Sequence, residues 1–257
     1  MNPPRDTHAP VATPQDPRFH WSFHLLHALE RLNRRFSRQA PRVVYDPRDF
    51  AWTASLEYHW RGIRSELERV LRNEAAVPAF QEISPEAGAL TQDGDWQTFV
   101  LYAWGRRAAR NCRLCPLTAA VCEAIPGMKT AFFSILAPGK RIPPHRGPWN
   151  GLLRCHLGLV VPPDTSDTRC WMRVDDQVFG WREGRTVVFD DSFEHEVANA
   201  TDAVRVVLFI DVLRPVRFPL DRLNDGLMRL IVASPYGRRI VRRFDDWYAR
   251  HGVDART

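Results

Sequence analysis

The second half of the chain is divided into short apolar runs with very short gaps between them, and this spacing constrains the fold most strongly. The runs are alternating or continuously apolar, and clusters of Pro, Gly, Asp and Asn separate them, which is typical of β-strands joined by turns. The gaps leave no room for the crossover helices that parallel strands need. An antiparallel barrel or sandwich is therefore predicted. The predicted strands are 130–136, 152–161, 169–174, 186–190 and 204–213.

Helical patterns flank this region on both sides. Apolar residues recur at helical spacing in 19–38 and 53–74, and again after residue 213. Between them, 92–105 is predicted to be a first strand and 116–124 a short helix opened by proline. The chain is therefore predicted to be mainly β with flanking helices.

The domain organisation follows from these patterns. Residues 1–17 are polar and rich in proline, which predicts a disordered tail. The rest of the chain, 18–257, is predicted to form a single domain. Its N-terminal helices are expected within 18–90 and its C-terminal helices within 215–250.

The predicted helix 19–38 is amphipathic and basic, because four arginines collect towards its end. One interpretation is a helix docked on its own domain, with the arginines favoured by the helix dipole. The other is a contact with a membrane surface or a partner. The sequence leaves both open.

Composition limits the classes of partner and the compartment. The 257 residues carry a formal net charge of +6 with a sequence pI of about 9.4, which permits contact with nucleic acid or anionic membranes. No helix-turn-helix, zinc-finger or RNA-binding motif is visible, so no nucleic-acid partner is expected. The five cysteines are an odd number, which argues against a disulfide framework and favours structural thiols. Cys112-x-x-Cys115 leaves a redox pair or half a zinc site open as alternatives. Without a spanning apolar stretch or an apolar signal segment, we expect a cytoplasmic protein, with peripheral contact at the inner face of the membrane as the alternative.

Strand alternation places several polar residues on otherwise apolar faces. Arg154 and His156 share one face of their strand, since side chains two residues apart point the same way. Arg205 shares a face with Val207 and Phe209, where a buried guanidinium without an anion costs several kcal/mol. A protein carboxylate or a ligand carboxylate would satisfy it. The hydroxyl of Ser134, which lies among apolar residues of its predicted strand, likewise needs a hydrogen-bond partner.

Two histidines, His145 and His195, are predicted at strand edges. Neutral imidazoles suit Fe(II), Zn(II) or Cu(II), and two histidines with one carboxylate are the ligand set of non-haem Fe(II) oxygenases. That carboxylate usually stands two residues after the first histidine, where this chain has Gly147. Spacing alone therefore leaves the metal site incomplete, and a structural role for each histidine stays open.

The segments around these residues resemble a known family. In order, they are "GDWQTFVLYAWGRR", "FFSILAPG", "PPHRGPWNGLLRCHLGLVVP", "WREGRTVVFDDSFEHEVAN" and "RVVLFIDVLRP". The region from about 92 to 213 resembles the aspartyl/asparaginyl β-hydroxylases, which are Fe(II)- and 2-oxoglutarate-dependent dioxygenases. The resemblance implies a double-stranded β-helix, which is a jelly roll of cupin-like form.

The resemblance also implies roles for the polar residues. His145 and His195 would be the metal ligands and the catalytic centre, with water completing the iron shell at Gly147, as in the family's vertebrate members. The residues expected to bind 2-oxoglutarate or line its pocket are Trp96, Ser134, Arg154, His156 and Arg205, of which Arg205 and Ser134 would hold its distal carboxylate.

The implied reaction uses Fe(II), 2-oxoglutarate and O₂ to hydroxylate the β-carbon of an aspartyl/asparaginyl-type substrate, either peptidyl or a small molecule, with release of succinate and CO₂. One alternative is hydroxylation of a lipid acyl chain at a membrane surface, as in the related lipid A hydroxylases. Another is a non-catalytic binding member of the family. Two roles stay open for Asp190 and Asp191, which could orient an imidazole or form a turn. Two roles also stay open for Trp149 and Asn150, which could contact the substrate or form a turn.

Overall fold

The computed structural model describes residues 20–72, 77–84, 88, 90–147, 149–163 and 169–250. The tail predicted over 1–17 lies outside these residues. The helices are α1 (His20–Arg35), α2 (Thr53–Leu71), α3 (Phe80–Ile83), α4 (Ala109–Leu114), α5 (Pro116–Glu123), α6 (Leu220–Ala233) and α7 (Pro235–Arg250). The strands are β1 (Val44–Tyr45), β2 (Trp96–Ala103), β3 (Arg106–Arg107), β4 (Met128–Leu136), β5 (Arg141–His145), β6 (Leu152–Val160), β7 (Cys170–Val174), β8 (Gln177–Phe179), β9 (Thr186–Phe189), β10 (His195–Asn199) and β11 (Arg205–Leu213).

The strands form two antiparallel sheets. The larger sheet has the order β1-β9-β6-β11-β4-β2-β3 and the smaller sheet has the order β5-β10-β7-β8. From β4 to β11 the chain passes back and forth between the sheets, so that β9-β6-β11-β4 stands opposite β5-β10-β7-β8. This is the strand order of a double-stranded β-helix, a jelly-roll arrangement. The predicted fold class is confirmed.

The alternation along β11 divides the core into two layers. Val206, Leu208 and Ile210 are buried against the layer that contains α2, α4 and α5. Val207 instead belongs to the cluster between the two sheets, and Arg205 has the same orientation along the strand. Odd-numbered side chains of β11 therefore point into the space between the sheets, where the polar residues of the candidate site lie.

The two predicted strand-edge histidines belong to paired strands of the smaller sheet. β5 and β10 are antiparallel neighbours, and the register pairs His145 with His195. Both strands are short, and β5 contains two prolines. The edge position of β5 explains why it tolerates prolines, since its other side has no partner strand in the described sheet.

All five cysteines are buried and free, as expected for structural thiols. Burial raises the pKa of Cys115 to about 12, which disfavours the reactive thiolate. Among the described residues, none of the helices combines the length and apolar character that crossing a bilayer requires.

Candidate active site

His145 and His195 lie side by side on the smaller sheet. Their ring centroids are 4.1 Å apart, because the antiparallel register places the two residues directly opposite each other. His195 is only 2% exposed. The fold thus brings together two imidazoles that are far apart along the chain.

Each imidazole is oriented by a backbone carbonyl of its own strand or loop. His145 Nδ1 is 2.8 Å from the carbonyl oxygen of Pro143, and His195 Nδ1 is 2.9 Å from that of Phe193. Donation from Nδ1–H to these carbonyls leaves Nε2 as the lone-pair atom. Within the described chain, the buried Nε2 of His195 has no hydrogen-bond partner. Both rings therefore offer the tautomer that a metal ion requires.

Electrostatics also favours neutral rings. Burial, with the neighbouring His145 and Arg154, lowers the pKa of His195 to about 3. Burial lowers the pKa of His145 as well, with Arg154 adding to the effect. Neutral imidazole is the ligating form, so the pair is prepared for a cation at neutral pH.

Gly147 leaves space that a carboxylate from another segment takes. A Cβ built on Gly147 would overlap the carboxylate of Asp191, and the Gly147 amide donates to the Asp191 carbonyl at 2.7 Å. Asp191 is 2% exposed, and burial raises the pKa of its carboxyl above the usual range. In the part of the chain that the structure describes, Asp191 Oδ1 has no partner. A carboxylate is therefore present near the first histidine although residue 147 has no side chain.

The protein donor set near the histidine pair is small. No group of three or more His, Cys, Asp or Glu side chains arranged to hold a metal is found among the described residues. Two imidazoles with a nearby carboxylate fit a metal whose remaining positions are taken by water or a co-substrate. The residues present fit Fe(II) in that form.

Arg205 is a buried cation without a counter-ion. It is 1% exposed, its guanidinium lies 4.6 Å from the ring centroid of Trp181, and its Nε and Nη1 have no hydrogen-bond partner among the described residues. Burial lowers its pKa to about 10, so it stays charged at neutral pH. A carboxylate that accepted two hydrogen bonds from the guanidinium would satisfy these donors.

Ser134, Trp96 and His156 lie on the same inner face as Arg205. Trp96 Nε1 donates to Ser134 Oγ at 3.1 Å, and Ser134 stands opposite Val207 in the sheet. Trp181 Nε1 donates to His156 Nδ1 at 3.3 Å. This fixes the proton of His156 on Nε2, which is buried and unpartnered in the described structure.

Arg154 is placed differently from Arg205, because it already has two carboxylate partners. Its Nη2 lies 2.8 Å from Asp191 Oδ2 and its Nε donates to Asp211 Oδ1 at 2.9 Å. Its guanidinium also lies 4.3 Å from the ring centroid of Phe209. Arg154 therefore positions Asp191 beside the histidine pair, and its predicted contact with 2-oxoglutarate stays a prediction.

The four residues with open interpretations are now placed. Asp190 accepts from Ser192 and pairs with Arg214, so its role is in the turn and the core. Trp149 and Asn150 are 5% and 0% exposed; Trp149 packs with residues of α1 and α6, and Asn150 donates to the Glu30 carbonyl in α1. Sequence reasoning missed Trp181, whose signal was a tryptophan directly after a glycine at the start of "WREG".

Comparison with known proteins identifies the family of the chain. The profile of the aspartyl/asparaginyl β-hydroxylase family matches residues 57–215. The chain is 40% identical over 226 residues to an ornithine lipid ester-linked acyl 2-hydroxylase of Rhizobium tropici, covering 88% of this chain and 80% of that protein. It is 34% identical to the human aspartyl/asparaginyl β-hydroxylase over 69% of this chain but only 23% of that protein.

Solved structures show more distant likeness. A cupin domain of an XRE family transcriptional regulator from Enterobacter cloacae overlaps 46% of this chain and 96% of that chain, with 13% identity and a TM-score of 0.31. The strand order, and not this overlap, defines the fold described above. From the match of the family profile and the two hydroxylase relatives, we conclude that the chain belongs to the aspartyl/asparaginyl β-hydroxylase family.

Proposed function

We propose that the chain is an Fe(II)- and 2-oxoglutarate-dependent hydroxylase. The observation that carries this proposal is the presence of two metal-ready imidazoles opposite a buried guanidinium on the facing sheet, whose Nε and Nη1 have no hydrogen-bond partner among the described residues. The imidazole pair accounts for a metal ion, and the guanidinium accounts for a dicarboxylate co-substrate. Bound Fe(II), with 2-oxoglutarate and O₂, supplies the oxidising chemistry, in which one oxygen atom enters a substrate C–H bond and the other enters succinate as CO₂ leaves.

The protein's own residues bind and orient the participants. His145 and His195 hold the metal through Nε2, and their backbone-bonded Nδ1 atoms keep the rings in place. Asp191, fixed by Arg154, accepts hydrogen bonds from water beside the metal.

The co-substrate is held at its other end and along its side. Arg205 binds the distal carboxylate, to which Ser134 donates a second hydrogen bond through its hydroxyl. His156 Nε2–H serves as a further donor to an oxygen of the co-substrate. The apolar residues around them, among them Trp96, Trp181 and Phe189, exclude bulk water.

For the substrate, we favour the acyl chain of a lipid. The relative named as an acyl 2-hydroxylase matches most of this chain and most of its own length, whereas the human β-hydroxylase matches over a smaller part of both. The chemistry of the two relatives is closely related. Carbon 2 of an acyl chain and the β-carbon of aspartate are both bonded to a carbonyl carbon. The substrate group is therefore a methylene next to a carbonyl, and a β-carbon of an aspartyl/asparaginyl-type substrate is the second candidate.

The test is binding and turnover with a matched pair of variants. Thermal unfolding with added 2-oxoglutarate should raise the Tm of the wild type, and Arg205→Met should abolish this rise. Loss of a bidentate charged contact worth about 3 kcal/mol weakens binding about a hundredfold. Exposed Arg182 provides the control, since Arg182→Met should respond to 2-oxoglutarate as the wild type does.

Turnover then separates the substrates. With Fe(II), 2-oxoglutarate and O₂, we expect succinate release to rise when an ornithine lipid is added, with gain of one oxygen in its ester-linked acyl chain by mass spectrometry. An aspartyl peptide provides the comparison. Absence of metal-dependent succinate with every substrate, together with an unchanged Tm response in Arg205→Met, would overturn the proposal.

A further inference from the structure

Helices α1 and α6 form an antiparallel pair on the surface of the protein. Ser37 and Val216 form an antiparallel bridge, and the Arg217 amide donates to the Phe36 carbonyl at 3.0 Å. The end of α1 therefore lies beside the beginning of α6. Further along, Asn224 Nδ2 donates to Asn33 Oδ1 at 2.9 Å. At this end of α1 the two helices thus approach each other with opposite chain directions.

Leucines of both helices lie on the outer side of this pair. Successive residues of an α-helix are rotated by about 100° around its axis. Leu32 directly precedes Asn33 and Leu223 directly precedes Asn224, so each leucine is rotated by about 100° from the asparagine that contacts the other helix. Equal rotations in antiparallel helices bring both residues to the same side of the seam. Leu32 is 41% exposed, Leu223 is 54% exposed and Leu230 is 70% exposed. That side therefore faces away from the protein body.

Two aromatic residues extend this surface at the junction of the helices. Phe36 is 38% exposed and Phe218 is 78% exposed, and the bond between the Phe36 carbonyl and the Arg217 amide keeps them near each other. We call the five residues Leu32, Phe36, Phe218, Leu223 and Leu230 the outer patch. Large apolar side chains exposed together in this way mark an interaction surface.

Exposed arginines outnumber acidic residues on the described parts of the two helices. Arg31, Arg35 and Arg222 are exposed and lie about two residues' rotation from the paired asparagines, so they point away from the seam between the helices. Arg34 and Arg229 are exposed as well, whereas the acidic residues are Glu30, Asp221 and Asp225, and Asp225 is bound to Lys129 and Arg229. The two helices therefore carry net positive charge beside the outer patch.

Helix α1 contacts segments next to both candidate metal ligands. Asn33 Nδ2 donates to Asn150 Oδ1 at 3.1 Å, in the segment that follows His145. The guanidinium of Arg34 lies 5.1 Å from the ring centroid of Phe193, whose carbonyl orients His195. The helix that contributes Leu32 to the outer patch thus also contacts the surroundings of the candidate site.

We propose that the outer patch and its arginines are a docking surface for an anionic lipid bilayer. The leucines and phenylalanines enter the boundary between headgroups and acyl chains, and the arginines bind anionic headgroups. Charge complementarity favours this occupant over a zwitterionic surface. The contact itself stands on the geometry of α1 and α6; its use, to bring lipid substrate to the adjacent site, rests on the proposed acyl-chain hydroxylation.

Vesicle sedimentation of the full chain tests this docking surface without any turnover. We expect sedimentation with vesicles of phosphatidylcholine and phosphatidylglycerol, a decrease with added salt, and much weaker sedimentation with phosphatidylcholine alone. Failure to sediment with the anionic vesicles at low salt would overturn the proposal, as would salt-insensitive binding to both kinds of vesicle.

Two triple variants distinguish vesicle binding by the outer patch from a general effect of positive charge. Replacing Arg31, Arg35 and Arg222 together by Gln should weaken anionic vesicle binding about a hundredfold, since each basic residue at such a surface accounts for about a fivefold change. The same replacement at exposed Arg61, Arg72 and Arg182 should change it much less. Equal losses in the two triple variants would contradict a specific surface.

The apolar contribution is tested in the same way. Leu223→Asp with Leu230→Asp should lower anionic vesicle binding about tenfold or more, because two inserted side chains are lost. The control is Tyr58→Asp with Leu114→Asp, which changes exposed residues of α2 and α4. Circular dichroism and Tm should establish that the two triple variants and the two double variants are folded. Binding that survives the Leu223 and Leu230 changes, or falls equally in the control, would contradict the proposal.

The outcomes for docking and for function remain separate. Vesicle binding by the patch without any lipid hydroxylation would support docking and count against the lipid substrate. Lipid hydroxylation in detergent micelles by a protein that does not bind anionic vesicles would support the substrate and overturn docking.

Discussion

Three polar side chains of the candidate site are each held through one atom and leave another atom without a partner in the described structure. His195 is bonded through Nδ1 and free at Nε2, and His156 is bonded through Nδ1 with an unpartnered Nε2–H within the described structure. Asp191 is bonded through Oδ2 and free at Oδ1. Buried polar atoms without partners are costly, so their collection between the two sheets indicates a place where ligands complete them.

The tight contact between Gly147 and Asp191 gives a prediction about the candidate metal site. Gly147→Ala should destabilise the protein by about 1–3 kcal/mol, because the new methyl group overlaps the Asp191 carboxylate. The cost comes from this contact and not from the backbone, since Gly147 is not one of the positive-φ glycines of the described residues. Urea denaturation of metal-free protein measures the change.

The companion variant is Asp191→Gly, which removes the obstructing carboxylate. In the double variant the methyl group should cost at least 1 kcal/mol less than it does in the wild-type background. Gly147→Ala with the same cost in both backgrounds would show that Asp191 does not occupy this space.

The sequence predicted some of these residues from physics and others only by resemblance. Strand alternation alone placed Arg205 on an inner face and identified its need for an anion. The position of Asp191 beside Gly147 could not be predicted, because it depends on how two distant loops meet in space. The second partner of Arg154, Asp211, lies across a strand pair whose register the sequence does not specify.

At the scale of elements, the apolar strands were predictable, including the short β7 and β9, whereas β5 and β10 were not. β4, β6 and β11 carry enough apolar residues for their pattern to be visible, and the structure places them within a few residues of the predicted bounds. β5 and β10 are short and partly polar, and only pairing with their neighbours makes them strands. The candidate metal ligands stand on these two strands.

Helix α1 is joined to the core by buried amides, which predicts a stability effect. Asn33 is fully buried and hydrogen-bonded to Asn150 and Asn224. Asn33→Ala should destabilise the protein by about 2–3 kcal/mol, because two buried amide groups lose their partners. Chemical denaturation measures the loss, and hydrogen exchange should increase in α1.

A control for this effect exists in the same helix. Arg31 is exposed, so Arg31→Ala should change the free energy of unfolding by less than about 0.5 kcal/mol. Equal stability of Asn33→Ala and Arg31→Ala would show that the amide contacts do not hold α1 in place.

At the scale of the whole molecule, the two sheets enclose cationic side chains and imidazole rings in one shared interior. Arg154, Arg205 and the histidines share the space between the sheets, and each cation disfavours another positive charge there. Burial, with the guanidinium groups of Arg205 and Arg154, lowers the pKa of His156 well below its usual value. The unfolded chain, in which His156 is free, takes up a proton near its ordinary pKa of about 6.5.

This difference predicts how the stability of the molecule depends on pH. Because the pKa of His156 is lower in the folded state, its contribution favours folding above about pH 6.5 and is lost as the pH falls below that value. Between about pH 6 and about pH 5, the unfolded state binds close to one more proton at this residue, which lowers the free energy of unfolding by about 1 kcal/mol. His156→Gln has no proton to take up, so its stability should fall less steeply by that amount. Urea denaturation of metal-free wild type and variant at the two pH values measures the difference. Parallel slopes for the wild type and His156→Gln would mean that His156 accepts a proton in the folded protein as readily as in the unfolded chain.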